Sequence, residues 1–324
     1  MSSTPRSLTP PGTQFAYNNV ALDVVGRVIE VVTGQPYEDT VHELLLEPLG
    51  LDGTRFFVDQ LAGQAIAGSH TVVDGRATST PDDWYLPRNA HPDGGLISNA
   101  HDQLRYAKFL MGDGRGADGA PILQPESLSA MRSDPGPGGT LIAEIDGYGV
   151  TLCLRRSAEG VTIVERGGDY QGQHSGFLLV PERDFAMTLL TNSSGGTPLK
   201  VELFYDNWAL KRFTGLRNPL AEPVRLTPAQ LAQYEGSYVA KSIDQSGTMQ
   251  RTVMTATGRD GQPQWSGVGG PESTQTLTFY RDDYVLVAGQ DLGPPGAIRA
   301  NFVRGRDGRI AWYSFGGRLH RPQD

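Results

Sequence analysis

Four short apolar segments between residues 148 and 192 constrain the fold more than any other feature of the chain. They read YGVTLCLR, VTIVE, HSGFLLV and DFAMTLLTN, and each is rich in residues that favour strands. Glycine or the turn-forming PERD separates them, so we expect neighbouring strands to pair antiparallel. The segment KVELFYDNWALKRF follows and predicts a helix that returns over the sheet. The chain should therefore adopt an α/β (α+β) fold, with an antiparallel sheet flanked by helices.

Two helices are predicted near the start of the chain. Residues 20–33, VALDVVGRVIEVVT, are apolar on most sides and predict a largely buried helix, with Asn18 or Asn19 as its N-cap and Gly34 at its end. A second helix starts at Pro36, which suits a first helical position.

A third helix follows a long stretch rich in Gly, Pro, Asp and Thr that is mostly loop. Ser98 or Asn99 caps this helix. Its apolar residues Leu104, Ala107 and Met111 recur at spacings of three and four, which predicts one buried face.

The composition changes again after Pro219. A linker, LRNPLAEPVRLTP, leads into a region where the turn signals SGT, GRDGQ, RDD and GRDG recur at short intervals. This pattern is typical of a small β-barrel or sandwich. We therefore predict two domains, residues 1–218 and residues 224–324.

The charge balance argues against one class of partner. The 324 residues carry 36 acids and 28 bases, a net charge of -8, without long runs of one sign, so no basic stripe indicates nucleic-acid binding. No segment reaches the roughly 18 apolar residues of a membrane span, and the N-terminus lacks an apolar signal-peptide core. We expect a cytoplasmic protein from the sequence as written, or an exported one if a preceding segment carries a signal. The single cysteine, Cys153, lies in an apolar run and predicts core packing.

Three stretches in a fixed order carry a family resemblance over about residues 10 to 215. PGTQFAYNN leads into the first predicted helix, PDGGLISNAHDQLRYAKFLMGDG into the third, and ERGGDYQGQHSGFLLVPERDFAMTLLTNS spans the sheet. Together they resemble the β-lactamase-related serine hydrolases, which include penicillin-binding proteins and class C β-lactamases. The resemblance implies acyl-serine chemistry on amide, peptide or ester bonds of a small-molecule or peptide-like substrate, without a cofactor. The stretch from LTPAQLAQYEGSY resembles the lipocalin-like β domain often appended to this family.

The resemblance assigns two motifs to particular residues. Tyr17 and Asn19 match the Tyr-x-Asn motif, whose tyrosine relays protons, and Arg166-Gly167-Gly168 stand where the family carries Lys-Thr-Gly or His-x-Gly. Arg166 keeps the positive charge but cannot give up its proton, so it could anchor a substrate carboxylate and could not act as a base. Two plainer explanations stay open. Tyr17 could simply pack ahead of a helix that an asparagine caps, and Arg166 could be a surface residue at a strand end.

The nucleophile of the family is missing from these 324 residues. No serine has a lysine three residues downstream, and no Gly-x-Ser-x-Gly elbow occurs. The sequence most similar to a Ser-x-x-Lys motif is Thr197-Pro198-Leu199-Lys200. It follows the last strand, and we expect it to begin the C-terminal helix. Removing a catalytic nucleophile costs about a millionfold in turnover in a serine protease. We therefore expect this chain alone to be nearly inert as an acyl-transfer enzyme.

The six histidines do not predict a metal site, because none forms a His-x-His or His-Glu-x-x-His pattern. His174 and Ser175 are neighbours on a predicted strand and should point to opposite faces of the sheet. This expectation argues against a base and nucleophile pair.

Three hypotheses follow. In the first, the chain is the C-terminal part of a serine hydrolase, and the loss of the nucleophile block leaves a sheet edge unpaired and an apolar face in water. In the second, the chain is an inactive relative that binds an acidic or peptide-like ligand at Tyr17, Asn19 and Arg166. In the third, it is an interaction protein that acts through its C-terminal β domain. The sequence predicts neither the substrate nor the oligomeric state.

Overall fold

The computed structural model describes residues 8–80, 85–133, 136–205, 208–243, 249–259, 262–266, 274–288 and 298–323. The first seven residues and the turn signal SGT lie outside the described residues, and GRDGQ lies partly outside them. The chain groups into two compact units. The sheet unit contains Asn18–Asp134 and Gly149–Arg217, and the barrel unit contains Met1–Tyr17, Pro135–Tyr148 and Asn218–Asp324.

The helices of the described residues are α1 (Asn19–Thr33), α2 (Tyr37–Val41), α3 (His91–Gly94), α4 (Ala100–Met111), α5 (Pro125–Ser133), α6 (Gly196–Tyr205), α7 (Trp208–Thr214) and α8 (Pro228–Leu231). A π-helical turn extends α2 over His42–Leu46. The strands are β1 (His70–Val73), β2 (Arg76–Ser79), β3 (Gly139–Thr140), β4 (Glu144–Ile145), β5 (Gly147–Tyr148), β6 (Cys153–Arg156), β7 (Thr162–Tyr170), β8 (Gln173–Val180), β9 (Phe185–Thr191), β10 (Gly236–Ile243), β11 (Met249–Arg259), β12 (Gln262–Ser266), β13 (Thr274–Arg281), β14 (Tyr284–Ala288), β15 (Ile298–Arg304), β16 (Ile310–Phe315) and β17 (Arg318–Gln323).

The predicted antiparallel sheet is present in the sheet unit, where β6, β7, β8 and β9 pair in chain order. A two-residue turn joins β7 to β8, and both of its residues, Gln171 and Gly172, have positive φ. Such a turn matches the right-handed twist of the strands that it connects. It fixes the register that places Gly167 opposite Gly176.

Strand alternation gives this sheet two buried faces. One face packs against α4 and α5 through the fully or almost fully buried residues Leu110, Leu128, Leu154, Val164 and Leu179. The other packs against α6 and α7 through Ile163, Leu178, Val180, Phe204 and Leu210. Because helices cover both faces, apolar residues lie on both sides of these strands where they pack against the helices. Cys153 is buried in the core, as predicted.

The third predicted helix is α4, and its cap is Asn99. The Asn99 side chain accepts a 3.0 Å hydrogen bond from the backbone N–H of Asp102. The prediction that Leu104 belongs to the buried face is wrong, since that side chain is exposed. Ala107 is fully buried, as predicted, and Met111 packs partly buried against the same core; Leu110, one turn after Ala107, completes the side that meets the sheet.

The prediction of a largely buried α1 is wrong. Gly26 is its only buried residue. Four valines one turn apart, Val20, Val24, Val28 and Val31, are between 54% and 68% exposed. We call this row the valine stripe. The helix bounds themselves agree with the prediction, because Gly34 ends α1 in the left-handed conformation, although the Asn18 side chain makes no capping hydrogen bond.

The C-terminal strands form a closed barrel. β10 to β17 pair antiparallel in chain order, and β10 also pairs with β17. Large buried side chains fill its interior, among them Tyr238, Leu277, Phe302 and Tyr313. The small β-barrel predicted for this region is therefore present.

Candidate active site

The Arg166-Gly167-Gly168 segment lies near the end of β7. Alternation directs the Cα substituent of Gly167 toward α6, and Arg166 and Gly168 toward the opposite face. A Cβ on Gly167 would lie 2.6 Å from the backbone oxygen of Ser175, so this position requires glycine. On the opposite face, the Gly168 N–H donates a 2.9 Å hydrogen bond to Ser175 Oγ.

Two carboxyl groups that influence each other, Asp93 and Asp23, lie close together, and Asp93 is also within electrostatic reach of Arg166. Burial raises the pKa of Asp93, the Asp23 carboxylate raises it further, and the Arg166 guanidinium opposes the increase. Burial also raises the pKa of Asp23, one of whose carboxylate oxygens is buried without a hydrogen-bond partner in the described part of the chain. Asp93 is therefore a carboxyl group that interacts with both Asp23 and the Arg166 guanidinium.

A buried ion network holds the turn that carries Asp93. Glu38 accepts hydrogen bonds from the Arg88 guanidinium at 3.0 and 3.1 Å, and its carboxylate lies 2.7 Å from His91 Nδ1. Burial alone would raise the pKa of Glu38, but these hydrogen bonds outweigh burial and hold the pKa below its ordinary value. The His91 ring also stacks on Phe56, with ring centroids 5.2 Å apart. His91, the first residue of α3, is thereby held by the Glu38 carboxylate and by the Phe56 ring.

α1 meets this turn along one side only. A Cβ on Gly26 would overlap the ring of Pro92, so glycine permits the close approach of α1 to α3. Asp23 lies one turn before Gly26 and faces the same way. The contact places the carboxylates of Asp23 and Asp93 near each other and leaves the valine stripe on a different side of the helix.

A second polar cluster occupies the face of the sheet that packs against α6. Lys200 Nζ donates to both carboxylate oxygens of Asp169, at 2.7 and 2.8 Å, and its side chain is only 4% exposed. His174 Nδ1 lies 2.6 Å from Asp169 and 3.3 Å from Thr197 Oγ1. Burial would raise the pKa of Asp169, but the hydrogen bonds from His174 and Lys200 prevail and lower it.

The contacts of this cluster test two predictions made from the sequence, one on the start of α6 and one on the side-chain directions of His174 and Ser175. Thr197 and Lys200 begin α6, as predicted, and the lysine is committed to an ion pair with Asp169. His174 faces Asp169 and Ser175 faces Gly168, so the two neighbours do point to opposite faces.

Tyr17 and Asn19 fall in different units. Tyr17, in the barrel unit, is half-buried, and its backbone N–H donates a 2.7 Å hydrogen bond to the Gly317 carbonyl. Asn19 is the exposed first residue of α1 in the sheet unit. Their catalytic roles, and the binding role of Arg166, stay predictions.

Sequence reasoning missed Asp93 as a neighbour of Arg166, and Asp23 as a neighbour of Asp93. Asp93 is visible in the PDGG motif, but its partner on α1 lies 70 residues away, and no local pattern connects them. In the described ranges no group of three or more His, Cys, Asp or Glu side chains is arranged to hold a metal ion. No described helix is long and apolar enough to cross a membrane.

Comparison with known proteins agrees with the resemblance. Penicillin-binding protein 4 of Amycolatopsis lactamdurans is 30% identical over 233 residues, which cover 71% of this chain and 60% of that protein. The crystal structure of SurE superimposes with a TM-score of 0.68 at 24% identity, over 98% of this chain and 70% of that one. An octameric penicillin-binding protein homologue from Pyrococcus abyssi has a TM-score of 0.54 at 20% identity, over 90% of this chain and 66% of its own.

These relatives extend beyond the part that they share with this chain, which spans 60% of the Amycolatopsis protein. The family model described as Beta-lactamase matches residues 3–210. The chain therefore belongs to the β-lactamase family.

Proposed function

We propose that this chain provides part of the catalytic cleft of an acyl-serine hydrolase, and that a segment outside these 324 residues supplies the nucleophile. Membership of the β-lactamase family supports the hydrolase class. The lack of any Ser-x-x-Lys sequence supports an external nucleophile. The substrates are amides, peptides or esters of small-molecule or peptide-like compounds.

The valine stripe is the observation that carries this proposal. Four aliphatic side chains at spacings of four, four and three residues form a continuous apolar row, and such a row is expected to be covered by another element. In the described part of the chain α1 is covered only on the side of Gly26. The stripe begins at Val20, directly after Asn19. A helix packed along it would therefore bring its own side chains to the Tyr-x-Asn end of α1.

The proposed chemistry divides the roles between the two polypeptide segments. The external serine attacks the substrate carbonyl, and the external lysine assists in removing its proton. Tyr17 relays protons in concert with that serine and lysine. Arg166 stays protonated and orients the substrate.

A binding module for acidic ligands is less well supported. A guanidinium that anchors a carboxylate should be free of competing anions, yet the Asp93 carboxyl group already lies within electrostatic reach of Arg166. A thermal-shift screen of the isolated chain with acetylated D-amino acids tests this alternative. A rise in melting temperature that Arg166→Gln abolishes would favour it.

The proposal is tested by covalent labelling of two proteins. One is the isolated chain, and the other is the joined protein, in which the polypeptide encoded in frame upstream of Met1 precedes the chain. Each is incubated with a fluorescent penicillin and, separately, with a fluorophosphonate, and adducts are located by intact-mass and peptide mass spectrometry. We expect no adduct on the isolated chain and a stoichiometric adduct on a serine of the upstream segment.

Two outcomes would overturn the proposal. The first is a stoichiometric adduct on a Ser or Thr of residues 1–324 in the isolated, folded chain. The second is upstream DNA with stop codons in every frame, because no segment would then exist to be joined.

A further inference from the structure

Two glycines form the turn between β16 and β17. Phe315 pairs with Arg318 across this turn, and Gly316 and Gly317 both have positive φ, 56° and 74°. Two residues in this conformation match the twist of the strands that they join, and glycine adopts it without steric cost. The backbone of the turn therefore explains both glycines equally well.

Gly317 meets a second requirement that Gly316 does not. A Cβ on Gly316 would have no heavy atom within 4 Å, whereas a Cβ on Gly317 would lie 2.7 Å from the Cβ of Tyr17 and 2.9 Å from Leu141 Cδ1. The Gly317 carbonyl also accepts the 2.7 Å hydrogen bond from the Tyr17 backbone N–H. The turn therefore holds the backbone of Tyr17 and leaves no space for a methyl group beside it.

The chain just before Tyr17 is packed against the same turn. Phe15 is buried, and its ring centroid lies 5.2 Å from that of Tyr148. A Cβ on Gly317 would lie 3.5 Å from the Phe15 ring. Phe15 and Tyr17 thus border Gly317 together, and the buried ring limits how far this segment can move.

The other neighbour, Leu141, lies between two residues that are bonded to β15. Thr140 Oγ1 donates a 2.9 Å hydrogen bond to Asn301 Oδ1, and both side chains are buried. The Arg299 backbone N–H donates a 3.0 Å hydrogen bond to the Ile142 carbonyl. The backbone on each side of Leu141 is therefore attached to the barrel.

We infer that the β16–β17 turn fixes the position of Tyr17, and that Gly317 is a positioning residue for its proton relay. Only the end of the Leu141 side chain meets the added methyl group, so that side chain can rotate away. The Cβ of Tyr17 can move away only together with its backbone. This inference rests on the proposed function and adds to it a barrel residue that determines where the Tyr17 phenol lies.

The position of the phenol matters because a group that transfers protons must lie within hydrogen-bond reach of the atom that it serves, about 2.6–3.2 Å. A misplacement of about 1 Å can slow a reaction about a hundredfold. A methyl group on Gly317 requires a shift of several tenths of an ångström or more, because real Cβ atoms do not approach within 2.7 Å of each other. We therefore expect a loss of about ten- to a hundredfold in rate.

Hydrogen exchange of the isolated chain, followed by NMR, tests the contact without any chemistry. We expect the Tyr17 amide to be protected about tenfold or more in the wild type, and to lose most of this protection in Gly317→Ala. Gly316→Ala is the matched control, because it adds the same methyl group at positive φ in the same turn but meets no atom within 4 Å. It should leave the Tyr17 amide protected. An unprotected Tyr17 amide in the wild type would overturn the inference even if Gly317→Ala fails to fold.

A double-mutant cycle in the joined protein tests whether the turn acts through the Tyr17 side chain. The rate of modification by a fluorophosphonate is measured for the wild type, Gly317→Ala, Tyr17→Phe and the double variant. We expect Gly317→Ala to slow the reaction about ten- to a hundredfold alone, and less than about twofold when residue 17 is already phenylalanine. A turn that only supports the fold would slow both backgrounds by the same factor.

The outcomes separate this inference from the proposed function. Equal slowing in the two backgrounds, or equal effects of Gly316→Ala and Gly317→Ala, would overturn the positioning role and leave the proposed function intact, because the adduct would still form. A joined protein that forms no adduct, while the Tyr17 amide responds to Gly317→Ala alone, would contradict the proposed function and support the control of Tyr17 by the turn.

Discussion

Replacing the four residues of the valine stripe with threonine should change the stability of the isolated chain little and lower the stability of the joined protein strongly. Valine and threonine are both β-branched and have similar helix propensities, so α1 itself should be little affected. In the isolated chain the stripe faces water, and surface substitutions typically change the free energy of unfolding by less than about 0.5 kcal/mol each.

In the joined protein the effect should be large. Complete burial of a valine side chain contributes about 1.5 kcal/mol, and each stripe residue still has 54% to 68% of its surface left to bury. The four residues together therefore account for roughly 4 kcal/mol of packing free energy, or about a thousandfold in the affinity of the covering helix. Unpaired threonine hydroxyls in that interface would add to the loss.

The assay is thermal unfolding of both proteins and of their fourfold threonine variants, with light scattering to follow self-association. We expect the isolated chain to keep its melting temperature and to self-associate less after substitution, and the joined protein to be strongly destabilised. A large loss of stability in the isolated, monomeric chain would show that its own residues cover the stripe, and would refute the reasoning.

Three further predictions concern the sheet unit. Glu165→Gln leaves the buried Arg155 guanidinium, 2.9 Å away, without its counter-charge, so urea unfolding should show a loss of about 3–5 kcal/mol. Gly26→Ala forces a methyl group into Pro92 and should cost about 1–3 kcal/mol by the same measurement, while an unchanged stability would contradict the close approach of α1 to α3. The pKa of Asp169 is lowered in the folded state, so its stabilising contribution is complete above the unfolded pKa and is lost as pH falls through the folded value. The difference in melting temperature between the wild type and Asp169→Asn should therefore be present at pH 7 and shrink below about pH 4, and a difference independent of pH would refute this assignment.

The sheet and the barrel could be predicted from sequence because their signals are local. Alternation, β-rich composition and turn residues such as Gly172 specify strands and their register within a few residues of chain. The cap of α4 at Asn99 is equally local, since one side chain and one backbone N–H three residues later define it. The division into domains at residues 218 and 224 stays a prediction.

The environment of α1 could not be predicted, for a physical reason. Its apolar residues show that the helix needs to be covered, but composition does not say whether the covering element lies in the same chain. The partners of Arg166 were missed for a related reason. Asp93 reaches it from α3, and Asp23 reaches Asp93 from α1, and only the tertiary fold brings these elements together.

The most direct test of an external nucleophile is the rate at which a fluorophosphonate modifies the joined protein, with and without Tyr17→Phe. General acid–base groups contribute about 10²- to 10⁴-fold. We predict a fluorophosphonate adduct on a serine upstream of residue 1, formed at least a hundredfold more slowly in the Tyr17→Phe variant while the adduct site stays the same. An adduct within residues 1–324, or a rate that Tyr17→Phe leaves unchanged, would contradict the proposal that this chain completes the cleft of an acyl-serine hydrolase.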